Sequence, residues 1–259
     1  MRFSGYDLGE RLARSDVLDV HVAWSQERGC PVIIKTLRPD RRDDAPAARA
    51  LRREGGLLRR LSHPHLVRAY EVLDEPAPAV VLETLGGETL SHLVRRRSRR
   101  LSVAEVAFLG QHLCSAIGYL HGHGYLHLDL KPSNVVADGG RAKLIDLSIA
   151  RRPGRVRAGL GTWCYLSPEQ ARGGRVDAAA DVWGLGGVLF EAATGTCAFG
   201  DDRDEAWELP QLHRRADSVL AARPRLPVAL ASAIDGALEP EPSARPTLPE
   251  LVAACQAVA

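Results

Sequence analysis

The chain has 259 residues, 45% of them hydrophobic and 25% charged, which is enough apolar mass for a sizeable core without disulfide or metal staples. Its formal net charge of +2 gives no ground for a nucleic-acid or anionic-membrane partner, and the arginine-rich stretches Arg95 to Arg100 and Arg151 to Arg157 read as solvated surface. The five cysteines, Cys30, Cys114, Cys164, Cys197 and Cys255, are odd in number, widely spaced and without a CxxC pair, so they read as reduced thiols and exclude a disulfide framework or a zinc site.

Met1 to Glu10 has no apolar signal core and no apolar run approaches ~18 residues, so a soluble cytoplasmic chain with no membrane partner is expected. Short β-like runs come first. Tyr6 to Leu12, Val17 to Trp24 and, after the turn Gln26 to Gly29, Pro31 to Lys35 read as three antiparallel strands. Ala47 to Leu61 follows as a helix with Leu51, Glu54, Leu57, Leu58 and Leu61 on one stripe. A carboxylate in an apolar stripe must be paired, and Lys35 is the available partner for Glu54. Gly55-Gly56 weakens this helix by up to about 1 kcal/mol per residue relative to Ala, predicting an element that is easy to shift. Leu66 to Val72 and Ala79 to Glu83 complete a five-stranded sheet, and Glu83-Thr84-Leu85-Gly86-Gly87 reads as a hinge.

Helices dominate from there. Ser102 and Glu105 form a capping box ahead of a helix carrying Val106, Leu109, Leu113, Ile117 and Leu120, which Gly122 and Gly124 stop. His121 and His123 read as residues of its exit turn rather than metal ligands. Asp181 suits the N-cap of a further apolar helix running to Gly195, and Leu248 to Val258, with Pro249 in its first turn, is the last helix.

The chemistry concentrates in His127-Leu128-Asp129-Leu130-Lys131-Pro132-Ser133-Asn134 and Leu144-Ile145-Asp146-Leu147-Ser148. An Asp to accept a hydroxyl proton, a Lys to neutralise a transferring phosphoryl group, and an Asn with a second Asp to hold a divalent metal are what phosphoryl transfer needs. His127 reads as a buried structural residue. HLDLKPSN resembles the catalytic loop of protein kinases and DLS resembles their DFG element. Gly161 to Glu169 resembles the end of a kinase activation segment, and Arg245 stands where the family pairs an Arg with that Glu. Lys35, Lys131 and Lys143 are the only lysines among 34 basic residues, and two of them fall at motif positions where a compact ammonium is not interchangeable with a guanidinium.

The resemblance implies a single α+β protein kinase domain over residues 1–259: a small β-rich lobe (1–83), a hinge (84–87) and a larger helical lobe (88–259), with ATP in the cleft. It implies transfer of the γ-phosphoryl group of ATP, with Mg2+ or Mn2+, to a Ser or Thr hydroxyl of a protein, the Lys two places after Asp129 being the Ser/Thr form. Asp129 and Lys131 would be catalytic, Asn134 and Asp146 would hold metal, and Lys35, held by Glu54, would contact the α- and β-phosphates. Leu12, Val20, Ile33, Glu83 and Leu85 would line the nucleotide, with Leu82 guarding the back of the pocket. The partner is then a protein substrate, with any regulator acting in trans. Replacing Lys35, Asp129 or Asp146 is expected to abolish transfer while leaving a cooperative fold.

Departures from the family pattern carry expectations too. The glycine positions of the phosphate loop hold Ala13, Ser15 and Leu18, which predicts weak binding of ATP if Leu18 projects from the loop tip, and no loss if Leu18 packs beneath the lobe. Leu128 replaces the Arg that grips a phosphorylated activation loop, and Ile149 to Gly161 contains no Ser, Thr or Tyr, so activity independent of loop phosphorylation is expected. Thr162 is expected near Asp129 and Lys131. The alternative is a pseudokinase that binds nucleotide or scaffolds. A small-molecule phosphotransferase of the antibiotic- or choline-kinase type is disfavoured by Ser167-Pro168-Glu169, by Asp181-x-Trp183-x-Leu185-Gly186 and by Arg245.

Overall fold

The computed structural model describes residues 3–97, 100–200 and 209–258, so the arginine-rich stretch Arg95 to Arg100 lies in part outside the described residues. The chain forms two compact units, Met1–Gly86 with Asp146–Ser148, and Gly87–Ile145 with Ile149–Ala259.

The first unit is built on an antiparallel sheet of β1 (Tyr6–Arg14), β2 (Leu18–Ser25), β3 (Cys30–Leu37), β4 (Ala69–Leu73) and β5 (Ala79–Glu83), in the order β1-β2-β3-β5-β4. Period-2 alternation divides its faces. Ala23, Val32, Ile34, Ala79 and Val81 share one face and form a buried cluster with Phe3 and Tyr6. Register pairs Val20 with Lys35 and Lys35 with Val80, and pairs Ile33 with Val22 and Leu82, so Val20, Ile33, Lys35 and Leu82 share the other face. The fourth strand starts at Ala69, later than the apolar run from Leu66 suggests, although Leu66 and Val67 are buried.

Helix α1 (Ala45–Arg60) packs on the sheet, with Asp44 capping its first turn through the Ala47 N–H at 2.9 Å. Its Gly55 has a packing role beyond the loss of helix propensity expected from the sequence. A Cβ there would lie 2.6 Å from methyls of both Val72 and Val80, so the missing side chain is what lets the helix approach β4 and β5. A Cβ on Gly56 would meet nothing within 4 Å among the described residues outside its own stretch of helix. Gly56→Ala is therefore expected to stabilise the chain by about 0.5–1 kcal/mol, and Gly55→Ala to destabilise it by about 1–3 kcal/mol, because Val side chains are stiff. Chemical denaturation of the two variants checks this, and equal effects would remove the packing explanation.

The second unit is helical with a three-stranded sheet β6-β7-β8 (Glu88–Thr89, Val135–Asp138, Arg141–Leu144) and a two-stranded ladder of β9 (Gly154–Val156) and β10 (Gly174–Val176). Helices α2 (Leu90–Arg97), α3 (Val103–Gly122), α4 (Pro168–Arg172), α5 (Ala178–Thr194), α6 (Val219–Ala222), α7 (Val228–Ala237) and α8 (Leu248–Gln256) follow in chain order. Both halves of the Ser102–Glu105 capping box form, at 3.1 and 2.7 Å. Helix α3 is long and apolar enough by composition to cross a membrane, which corrects the expectation that no such stretch exists. Its buried residues, Val106 to Leu120, form one side of the unit's core, while Glu105 and Phe108 are exposed.

Arg245 locks this unit internally. Its guanidinium forks onto Glu169 at 2.6 and 2.9 Å, donates to the carbonyls of Ala179, Glu239 and Pro240, and lies 5.0 Å over the Trp183 ring. A buried arginine is tolerable only when its donors are satisfied in this way. Two local expectations are corrected. Asp177, not Asp181, caps α5, accepting from Ala179 N–H at 3.0 Å, and His121 lies inside α3 rather than in its exit turn.

Candidate active site

In the first unit, Lys35 on β3 reaches Glu54 on α1. The ammonium donates to both Glu54 oxygens at 2.8 and 2.9 Å and to Asp146 at 2.9 Å. The Asp146 carboxylate also accepts the Ser148 N–H at 2.8 Å, and Glu54 accepts the Leu147 N–H at 3.3 Å. One cation thus serves a buried carboxylate, Glu54, and a half-buried one, Asp146. Burial opposes the Lys35 charge, but Glu54 and Asp146 outweigh it and raise its pKa above the ordinary lysine value. For Asp146 burial again favours the neutral acid, yet Lys35 and the Ser148 hydrogen bonds bring its pKa down to about 2. Burial pushes Glu54 up, with Lys35 opposing the rise and Asp146 adding to it.

The second unit carries the other set on the turns after α3. Asp129 accepts the Thr162 hydroxyl at 2.6 Å on one oxygen, and Lys131 Nζ at 2.8 Å and Asn134 Nδ2 at 3.1 Å on the other. Lys131 also donates to Thr162 Oγ1 at 2.7 Å, so Thr162 stands between the two. His127 is buried, and its Nδ1 accepts the Asp129 N–H at 3.2 Å.

Two residues whose part in this site the sequence reading missed hold the backbone beneath Asp129. Asp181, fully inside the core, accepts the N–H groups of His127 at 2.8 Å and Leu128 at 2.7 Å and the His121 ring nitrogen at 2.8 Å. Gln170 donates to the carbonyls of Leu128 and Leu160, both at 2.8 Å. Between these clamps Leu128 adopts φ +65°, a left-handed conformation that costs a non-glycine residue roughly 1–3 kcal/mol and persists only when its surroundings over-determine it. The Ser167–Gln170 spacing signalled a helix cap, which does form, but gave no sign of the second grip.

The family described as a protein kinase domain matches residues 8–255. The chain belongs to that family. Serine/threonine-protein kinase PknB of Mycolicibacterium smegmatis is 34% identical over 231 residues, covering 84% of this chain and 36% of that protein. A probable PknB of Bifidobacterium longum is 31% identical over 86% of the chain and 35% of its own length, and CBL-interacting protein kinase 4 of Oryza sativa is 34% identical over 81% and 48%. The chain therefore spans about a third to a half of these relatives.

Within the kinase domain, Leu12, Val20, Ile33, Lys35, Glu54, Glu83, Leu85 and Asp146 all belong to the first unit, and Asp129, Lys131 and Asn134 to the second. Leu12 is 56% exposed, in a stretch of β1 where the register shifts between Arg11 and Ala13. Glu83 pairs with Arg68 through both its N–H and its carboxylate, at 2.9 Å each. The connection that replaces the glycine-rich loop is a tight hairpin. Ser15 N–H donates to Leu18 O at 2.9 Å, Leu18 N–H to Ser15 Oγ at 3.0 Å and Val17 N–H to the same Oγ at 3.3 Å. Arg14 and Asp19 close it with paired bonds of 2.7 and 2.9 Å. Leu18 is half-buried at the start of β2, opposite Leu37, and not at a loop tip.

Proposed function

We propose that the chain is an ATP-dependent protein Ser/Thr kinase. The observation that carries this reading is the Asp129 carboxylate, which has a lysine and a carboxamide on one oxygen and a hydroxyl on the other. Such a group can accept the proton of an attacking hydroxyl while Lys131 balances charge on the transferring phosphoryl group. Thr162 occupies the hydrogen-bonding position that a substrate hydroxyl shares. In the other unit Lys35 stays charged, set by Glu54, to meet the α- and β-phosphates. Asn134 and Asp146 offer hard oxygen donors of the kind Mg2+ takes, Asp146 ionised and Asn134 with its amide nitrogen already committed to Asp129. Mg2+ taken by such donors would neutralise charge on the phosphates of ATP, the phosphoryl donor.

A second reading, a nucleotide-binding pseudokinase, is favoured by the β1–β2 hairpin, whose Ser15, Val17 and Leu18 amides are spent on the turn itself and not on a ligand. Incubation of the purified chain with Mg-ATP and a generic protein substrate, read by mass spectrometry for phosphoserine and phosphothreonine, separates them: bound nucleotide without phosphate transfer selects the pseudokinase.

Leu128 also bears on control of the proposed reaction. It packs with Leu126, Val156, Leu160, Val176 and Ala180 in a buried cluster, and Leu126 and Arg151 bridge their backbones. The segment after Asp146 is thus tied down by apolar contact where related kinases use an arginine and a phosphate. Phosphatase treatment is expected to change kcat by less than about twofold, since no charge-assisted contact depends on a phosphate here. Activity that disappears with phosphate between Asp146 and Glu169, and returns with it, would refute this.

A further inference from the structure

The second unit brings together two cysteines that lie far apart in the chain. Cys164 lies in the 3-10 turn Trp163–Tyr165 and Cys197 in the loop after α5. The Cys197 thiol donates to the Cys164 carbonyl oxygen, with Sγ 3.7 Å from it, which brings the two residues into direct contact. Both are half-buried, so a small oxidant can reach them. Cys114 and Cys255 are also neighbours, but both are sealed in the core, at 2% and 0% exposure.

We propose that Cys164 and Cys197 form an oxidative modification site, at which a hydroperoxide closes a disulfide that fastens the segment Thr162 to Ser167 onto the loop after α5. Cys164 supplies the thiolate and attacks the peroxide; the O–O bond breaks, an alcohol leaves after taking a proton, and Cys164 becomes a sulfenic acid. The Cys197 sulfur then attacks the Cys164 sulfur, the S–S bond forms, the S–O bond breaks, and hydroxide leaves with the Cys197 proton as water. Two thiols are oxidised by two electrons, and the peroxide is reduced to alcohol and water. The neighbouring Cys164, followed by burial, raises the Cys197 pKa, which suits Cys197 to act second.

The location gives the bond a consequence. Cys164 is two residues beyond Thr162, whose hydroxyl touches both Asp129 and Lys131. The same turn is already held to its surroundings by the Tyr165 hydroxyl on Glu191 and by Gln211 on the Trp163 carbonyl at 3.0 Å. A covalent link in place of the thiol-to-carbonyl contact draws this turn toward the end of α5 and pulls on Thr162. The effect on catalysis, though not the disulfide itself, rests on the function proposed above.

The test treats the full chain with hydrogen peroxide, alkylates it and maps the peptides under non-reducing conditions. A Cys164–Cys197 linkage that dithiothreitol reverses, with Cys114 and Cys255 unlinked, is expected. Cys164 recovered as sulfinic acid beside a free Cys197, or linked to any other cysteine, would overturn the site. Hydrogen exchange at residues 162–166 should slow by about tenfold in the oxidised chain, and unchanged exchange would overturn the fastening. Phosphotransfer should fall by at least about fivefold on oxidation of the wild type and be insensitive in Cys197→Ser and Cys197→Ala. Undiminished transfer by the fully linked chain overturns the catalytic consequence. A reduced chain that transfers no phosphate instead refutes the proposed function, leaving mapping and exchange to decide the thiol pair.

Discussion

Asp129→Asn is expected to lower kcat for phosphotransfer by about 10²–10⁴, the usual worth of a general base, with little change in stability. The two oxygens of Asp129 do different work. One accepts from both Lys131 and Asn134, and the other, among the described residues, from the Thr162 hydroxyl alone. An asparagine can keep its oxygen toward Lys131 and Asn134 and turn its amide toward Thr162, whose oxygen can accept. The hydrogen bonds around the site therefore survive in number, and the change in unfolding free energy should stay within about 1 kcal/mol. What is lost is the negative charge and the capacity to take a proton, which matter at the transition state and not in the resting fold. Steady-state kinetics with a protein substrate, set beside a denaturation curve, check both halves. A variant that keeps more than a tenth of the wild-type kcat would remove Asp129 from its role. Loss of the fold would show that the carboxylate is structural.

The site was legible in the sequence wherever short spacing confines a side chain. Asp129, Lys131 and Asn134 lie within six residues of one another, and the structure gathers them on one carboxylate. Glu54 was legible because an acid in an apolar stripe demands a cation, and Lys35 is the one it meets. What the sequence hid depends on distant chain. Asp181 reads as a cap because it stands near a helix start; only the fold brings the His127 and Leu128 amides to it across more than fifty residues. Gly55 reads as a flaw until Val72 and Val80 are seen against it, and Leu18 reads as a loop tip until Ser15 closes the turn early. Spacing rules likewise register Cys164 and Cys197 as two isolated thiols. Periodicity and local motif report what a residue does to its own element, whereas a clamp, a close approach or a thiol contact is a property of two elements at once.

Lys35→Met is expected to cost stability as well as rate, which revises the view that its loss would show in kinetics alone. The variant leaves Glu54 and Asp146 with no cation among the described residues, and removing one partner of a buried ion pair typically costs about 3–5 kcal/mol. The loss should depend on pH in a definite direction. Glu54 is already raised by burial and by Asp146, and Lys35 is what opposes the rise, so without it the folded state holds the Glu54 proton to higher pH than the unfolded chain does. A group that binds its proton more tightly when folded stabilises the fold below that pKa and loses the contribution as pH rises through it. Lys35→Met should therefore be weakest at neutral and alkaline pH and recover as Glu54 protonates. The wild type runs the other way at its acidic end. Asp146, depressed to about 2, contributes stability that is present above the ordinary Asp range near 3.9 and lost as pH falls toward 2. The two stability curves should converge on acidification. Lys35→Met with Glu54→Gln should regain part of the neutral-pH loss, since it removes the more deeply buried of the two charges. Urea denaturation of the two variants and the wild type at pH 5 and pH 7.5 is the measurement. A Lys35→Met deficit that is the same at both pH values, or that the second substitution does nothing to relieve, would mean that Lys35 holds the fold through its packed stem and not through its charge.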